Sequence, residues 1–288
     1  QTVCRRFLFT CCKSAWFAVH MCRKKQEEST MKNIGVRVVS AALAACMITS
    51  ILPVSAFAAG EGTPDAEPGI AVQEEDASTV TYTLSGSCNN QTINMPGKDV
   101  IINITGNVTS ATGKGILLRV VTAKNLTING TGYEVDAGSG TFITVQDMEF
   151  DGKLTIEGGT YKSTGIVLQL MENESSTNSY SVVLNNVTIE AGNIAVANQN
   201  KNAAVNIHGG KYSNSFQNAV LLNNGVLTVN GNAVVESANG IAVQNNAGTV
   251  TFKNGRYTSA GTTVFTGKDA ETDYPVVHLQ GQMQTAGI

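Results

Sequence analysis

The stretches Leu126-Thr-Ile-Asn-Gly130, Leu154-Thr-Ile-Glu-Gly158, Val182-Val-Leu-Asn-Asn186, Val205-Asn-Ile-His-Gly209, Leu227-Thr-Val-Asn-Gly231 and Val250-Thr-Phe-Lys-Asn254 are copies of one element. Their first residues lie 28, 28, 23, 22 and 23 positions apart. Such a period marks one supersecondary unit stacked on copies of itself. Within each copy apolar residues alternate with polar ones, the two-residue period of a strand with one buried face. Seven residues after each start a second column is expected: Tyr133, Tyr161, Ile189, Tyr212, Val234 and Tyr257. A third apolar run occupies residues 142–145, 166–170, 194–196, 219–222, 241–243 and 264–265. Gly, Asn and Ser, which tolerate left-handed backbone, separate the runs and supply corners.

Three short strands per coil of about 22 residues, each paired with its equivalents above and below, predict an all-β parallel β-helix solenoid. One coil cannot fold alone, because stacking is what buries its aliphatic side chains, at about 1.5–3 kcal/mol each. The two longer spacings imply loops, and the polar run Glu172 to Ser179 is suited to be one.

Residues outside the repeat suggest export. From Met31, Lys32 and Arg37 precede an apolar run over 38–52 and then Ala56-Phe57-Ala58, the pattern of a signal peptide at 31–58. The apolar run is shorter than the roughly 20 residues that span a bilayer. Residues 1–30 read as upstream sequence, since Gln26-Glu27-Glu28 can be encoded by a purine-rich ribosome-binding stretch just before Met31. Residues 59–78 read as an acidic disordered linker and 79–288 as the solenoid, whose pattern breaks off in a way that suggests a truncated C-terminus. Cys4, Cys11, Cys12, Cys22 and Cys46 all precede Ala59, so Cys88 alone is left and no internal disulfide is expected. Eight of the 19 Lys/Arg and two of the 22 Asp/Glu also precede Ala59, leaving 11 basic and 20 acidic residues, a net charge of −9. That balance disfavours nucleic acid and anionic membrane surfaces as partners.

The segments L-T-I-x-G-G-x-Y and N-G-I-A-V-x-N-N, present as Leu154 to Tyr161, Val205 to Tyr212 and Asn239 to Asn246, carry a family resemblance. They resemble the right-handed parallel β-helix repeats of exported bacterial surface proteins with a pectin-lyase-like fold, over about Thr79 to Gln280. The resemblance implies architecture more than activity, because that fold hosts polysaccharide lyases, glycoside hydrolases, adhesins and structural repeats. Thr81 to Gly86 is also similar to the start of carbohydrate-binding β-helix modules.

Catalytic chemistry is not legible. The clustered aspartates, Gly-His-Gly and Arg-x-Lys segments of polygalacturonase-like hydrolases do not occur from Ala59 onward, so no catalytic residue is assigned. The fourth position of each repeat, Asn129, Glu157, Asn185, His208, Asn230 and Lys253, should line an outer surface. Glu157 and His208 would then lie two rungs apart, about 10 Å, too far for a hydrogen bond. His208 and His278, about three coils or roughly 14 Å apart, could not share a zinc ion. One metal candidate remains. Asp147, Glu149 and Asp151, closed by Gly152, resemble the alternating acids of a calcium loop, with Met148 and Phe150 expected to pack inward if the segment is a strand. No other cofactor is suggested. The tyrosines are expected to pack at a corner with hydroxyls at the surface, and the turn asparagines to bond from coil to coil.

These readings point to a secreted or cell-surface module that is non-catalytic and acts in binding, adhesion or structure towards glycans or surface proteins, without membrane insertion of the mature chain. A calcium-dependent depolymerase of pectate-lyase-like type and a structural fragment of a longer repeat protein are the alternatives.

Overall fold

A computed structural model describes residues 70–88, 90–267 and 275–286 of the 288-residue chain, all within one compact unit, Ala66–Ile288. The expected upstream segment and signal peptide lie outside the described residues. The architecture is an all-β parallel solenoid of about eight turns, about 25 residues each, with no helix among the described residues. Each regular turn contributes three strands, one to each of three faces. On the first face, Gly152–Glu157, Tyr180–Asn185, Ala203–His208, Val226–Asn230 and Thr249–Phe252 pair in parallel. The second holds Thr160–Ser163, Thr188–Ala191, Lys211–Asn214, Val234–Ser237 and Gly255–Ser259. The third holds Thr141–Val145, Ile166–Leu170, Ile194–Asn198, Ala219–Asn223 and Ile241–Asn245.

The quoted repeats stack in register. Val80, Val100, Leu126, Leu154, Val182, Val205, Leu227 and Val250 form one inner column, none more than 2% exposed. Alternation along each strand puts the intervening residues outside. The second column differs from the expected one at two places: Val135, not Tyr133, stands beneath Tyr161, and Val235, not Val234, stands between Tyr212 and Tyr257. The cause is corner length. Gly130 to Val135 spans two more residues than Gly158 to Tyr161, and Gly231 to Val235 spans one more, with the extra residues accommodated by left-handed backbone at Gly132 (φ 86°) and Asn232 (φ 60°). A count at fixed spacing passes over such insertions, and Tyr133 ends up part-exposed instead of in the core.

The Gly-Gly of the repeat motif has a local reason. Gly158 and Gly159 (φ 57° and 86°) and Gly209 and Gly210 (φ 73° and 86°) take successive left-handed conformations that turn the chain between faces. The tyrosine three residues after the first glycine then tucks inside. Tyr161 stacks on Phe142 with centroids 4.6 Å apart, and Tyr161, Tyr212 and Tyr257 are no more than 1% exposed. The expected packing role therefore holds, but the hydroxyls are not at the surface. Those of Tyr161 and Tyr212 are buried without a hydrogen-bond partner among the described residues, while Tyr257 Oη donates to the Asn254 carbonyl at 3.2 Å.

Polar ladders close the remaining corners. Asn198 Nδ2 donates to Asn223 Oδ1 (3.0 Å), and Asn223 Nδ2 to Asn245 Oδ1 (2.8 Å), with all three side chains buried. This is the coil-to-coil amide bonding expected of Asn223 and Asn245. At the N-terminal end Ile70–Glu75, within the stretch expected to be linker, pairs antiparallel with Thr79–Cys88. Lys98 holds Glu75 at 2.5 Å, and the Asp76 carboxylate accepts the Ser78 and Thr79 amides at 2.7 Å each. Those backbone bonds hold the Asp76 carboxyl below its usual range. The added strand covers an edge that would otherwise offer unpaired backbone groups.

Candidate functional site

The acidic segment singled out for calcium forms the corner between Thr141–Val145 and Gly152–Glu157, and its three acids serve separate contacts. Asp147 Oδ1 accepts its neighbour Met148 amide at 2.9 Å, and its Oδ2 lies 3.4 and 3.5 Å from the Asn173 and Asn178 amides of the following loop. Glu149 Oε1 instead accepts the Gly97 amide at 2.5 Å. Asp151 is exposed and takes left-handed backbone (φ 58°). Among the described residues no three His, Cys, Asp or Glu side chains are grouped to hold one metal ion. Met148 is buried as expected, but Phe150 is 69% exposed. Alternation would have turned both inward only in a strand, and the turn at 150–151 breaks it. The expected loop over Glu172 to Ser179 is present, between Ile166–Leu170 and Tyr180–Asn185.

The fourth-position column also lies where expected. Asn129, Glu157, Asn185, His208 and Asn230 are register partners in turn along the outside of the first face. Asn185 Nδ2 donates to Glu157 Oε1 at 2.7 Å, so the rung between Glu157 and His208 is occupied and the two are not brought together.

The three outer faces differ in chemistry. The first carries a half-buried column of mostly polar residues, Thr127, Thr155, Val183, Asn206, Thr228 and Thr251. The second is charged and internally paired: Lys162 Nζ meets Glu134 at 2.7 Å and Glu190 at 3.7 Å, and Glu236 receives Lys211 at 3.2 Å together with Arg256. Hydrogen bonding to Glu134 raises the Lys162 pKa.

The third face is nearly uncharged. Here each strand has at least two consecutive buried residues, such as Leu117 and Leu118 or Val167 and Leu168, and one buried residue in each (Leu117, Phe142, Val167, Ala195, Val220 and Ala242) is passed over in the register. The strand bends there, and the bend leaves Ile116, Ile166, Ile194 and Ile241 half-buried along one rim. Beside them runs the column Arg119, Thr144, Gln169, Ala197, Leu222, Gln244 and Phe265, in which Thr144 and Ala197 are buried, the other five reach the surface and Arg119 is the one charged member. Gln169 Nε2 donates to Gln199 Oε1 at 3.0 Å and Gln244 Nε2 to Asn246 Oδ1 at 2.7 Å, which hold these amides in place. Period-two reading assigns the third run to the core as a block and does not separate this face. The signal that could have found it is the paired apolar residues followed by Arg, Thr or Gln.

Cys88 is buried, with no disulfide partner among the described residues, and burial pushes its pKa up to about 11. That leaves little thiolate at neutral pH and no basis for nucleophilic chemistry there. No helix of the described residues is long and apolar enough to cross a membrane. Comparisons with protein-family models, curated proteins and solved structures return no match. The reading of function therefore rests on the fold and on the chemistry of its faces.

Proposed function

We propose that the chain is an exported, non-catalytic binding module of the bacterial cell surface, of pectin-lyase-like β-helix type, whose third outer face engages glycans. The observation that carries this reading is the composition of that face: half-buried isoleucines, Leu222 and Phe265 beside fixed glutamine amides, with one charge in the column. Sugars present apolar C–H faces and hydroxyls together. A surface of aliphatic groups and amides matches both, whereas the ion-paired second face has its charges already satisfied. The signal-like segment at 31–58 and the single cysteine after it support an extracellular setting. The net charge of −9 after residue 58 supports a partner other than nucleic acid.

Binding of the full chain to a panel of immobilised glycans tests the reading, with two double variants compared. Leu222→Glu with Gln244→Glu places charges on the third face and is expected to abolish retention. Ser213→Glu with Thr258→Glu on the second face is expected to leave it intact. The opposite ranking, or no retention of the parent chain on any glycan, contradicts the assignment.

A further inference from the structure

We infer that Arg119 is the centre of a subsite for one carboxylate-bearing sugar ring, at the end of the third face nearer the N-terminus. The inference rests on the glycan-binding reading and adds the ligand's charge and its position. Asn90, Thr92, Ile116, Arg119, Val121 and Gln146 line a surface crevice of about 320 Å³. Three successive coils build it. Thr92 and Arg119 are register partners on adjacent rungs, and Gln146 follows the next strand with its amide donating to the Val120 carbonyl at 2.8 Å. Asn90 is anchored by its own amide, which donates to the Ile116 carbonyl at 3.1 Å. The lining is thus set by the sheet register.

Arg119 is exposed and enters none of the ion pairs formed by Lys98, Lys162, Lys211 and Arg256. Among the described residues no carboxylate pairs with it, and its column is otherwise neutral. A guanidinium in that position favours a planar anion that accepts two parallel N–H bonds, which a carboxylate does. The rest of the lining selects what carries the carboxylate. The Asn90 and Gln146 amides and the Thr92 hydroxyl can each donate to or accept from ring hydroxyls, and Ile116 and Val121 offer apolar surface to ring C–H groups. An acidic peptide side chain would satisfy the arginine but leave most of these groups unused. The volume sits near the lower end of the roughly 300–1,000 Å³ typical of ligand pockets, which fits a single ring better than a chain.

Ligand-observed NMR titration of the full chain with glucuronate, N-acetylneuraminate, glucose and succinate tests the site, in the parent and in Arg119→Gln. Arg119 is exposed, and an unchanged circular dichroism spectrum checks that the variant folds. The expected result is that both sugar acids bind, that glucose and succinate bind at least about tenfold more weakly, and that Arg119→Gln lowers sugar-acid affinity by about tenfold or more, as loss of a charge-assisted contact does. Equal affinity of the sugar acids for parent and variant overturns the site, as does succinate binding as tightly as the sugar acids, or no sugar-acid binding. If neutral glycans are retained on the panel while any of these occurs, the glycan reading stands and only the Arg119 site falls; if no glycan is retained, both fall.

Discussion

At Gly130 an added methyl group would lie 2.1 Å from Tyr161 Oη, so the motif's glycine and the tyrosine of the next coil are one packing unit. Gly130→Ala is expected to destabilise the chain by about 1–3 kcal/mol, the usual cost of overpacking. Tyr161→Phe should be neutral or stabilising, because it removes a buried hydroxyl that has no partner among the described residues. In the Tyr161→Phe background the cost of Gly130→Ala should shrink without vanishing, since the ring carbon stays 3.1 Å away. Urea unfolding midpoints of the four proteins check this coupling, and strictly additive effects would contradict it. At this scale the sequence was readable where alternation is strict, as for Leu154 and Ile207, both buried in register. It misled at Tyr133 and Val234, because one or two residues added at a corner shift the count without changing the apolar pattern.

The tyrosine column is an element with a pH signature. Burial raises the pKa values of Tyr161, Tyr212 and Tyr257 well above the ordinary tyrosine range. In the unfolded chain these phenols release protons near pH 10, whereas the folded chain retains them. The folded state therefore binds more protons above that pH, and stability present below about pH 10 is lost as the pH rises past it. Denaturant midpoints at pH 8, 10 and 11 should fall over the last interval, and Tyr212→Phe should reduce the fall. A midpoint independent of pH would show that these phenols are not buried as described. The corner elements were the least readable. Alternating acids at 147, 149 and 151 suggested a shared ion, but a corner sends successive side chains to different neighbours, and only the folded geometry reveals that Glu149 serves Gly97 while Asp147 faces Asn173 and Asn178.

For the whole molecule, periodicity alone was enough to anticipate a parallel stack, because every coil must bury the same columns against its neighbours. The chemistry of the faces was less accessible, since it depends on which residue at each bend turns outward, and sequence spacing does not fix a bend. Register is therefore what both the fold and the neutral third face depend on. Leu222, Gln244 and Phe265 occupy successive rungs of that face. Adjacent rungs are about 4.8 Å apart, within the Cα separation a disulfide accepts, and alternate rungs at twice that spacing are beyond it. The decisive measurement is oxidative cross-linking with peptide mapping by mass spectrometry. Leu222→Cys with Gln244→Cys should form a disulfide between those two positions, and Leu222→Cys with Phe265→Cys should not. A bridge in the second protein and none in the first would contradict the register and, with it, the face to which binding is assigned.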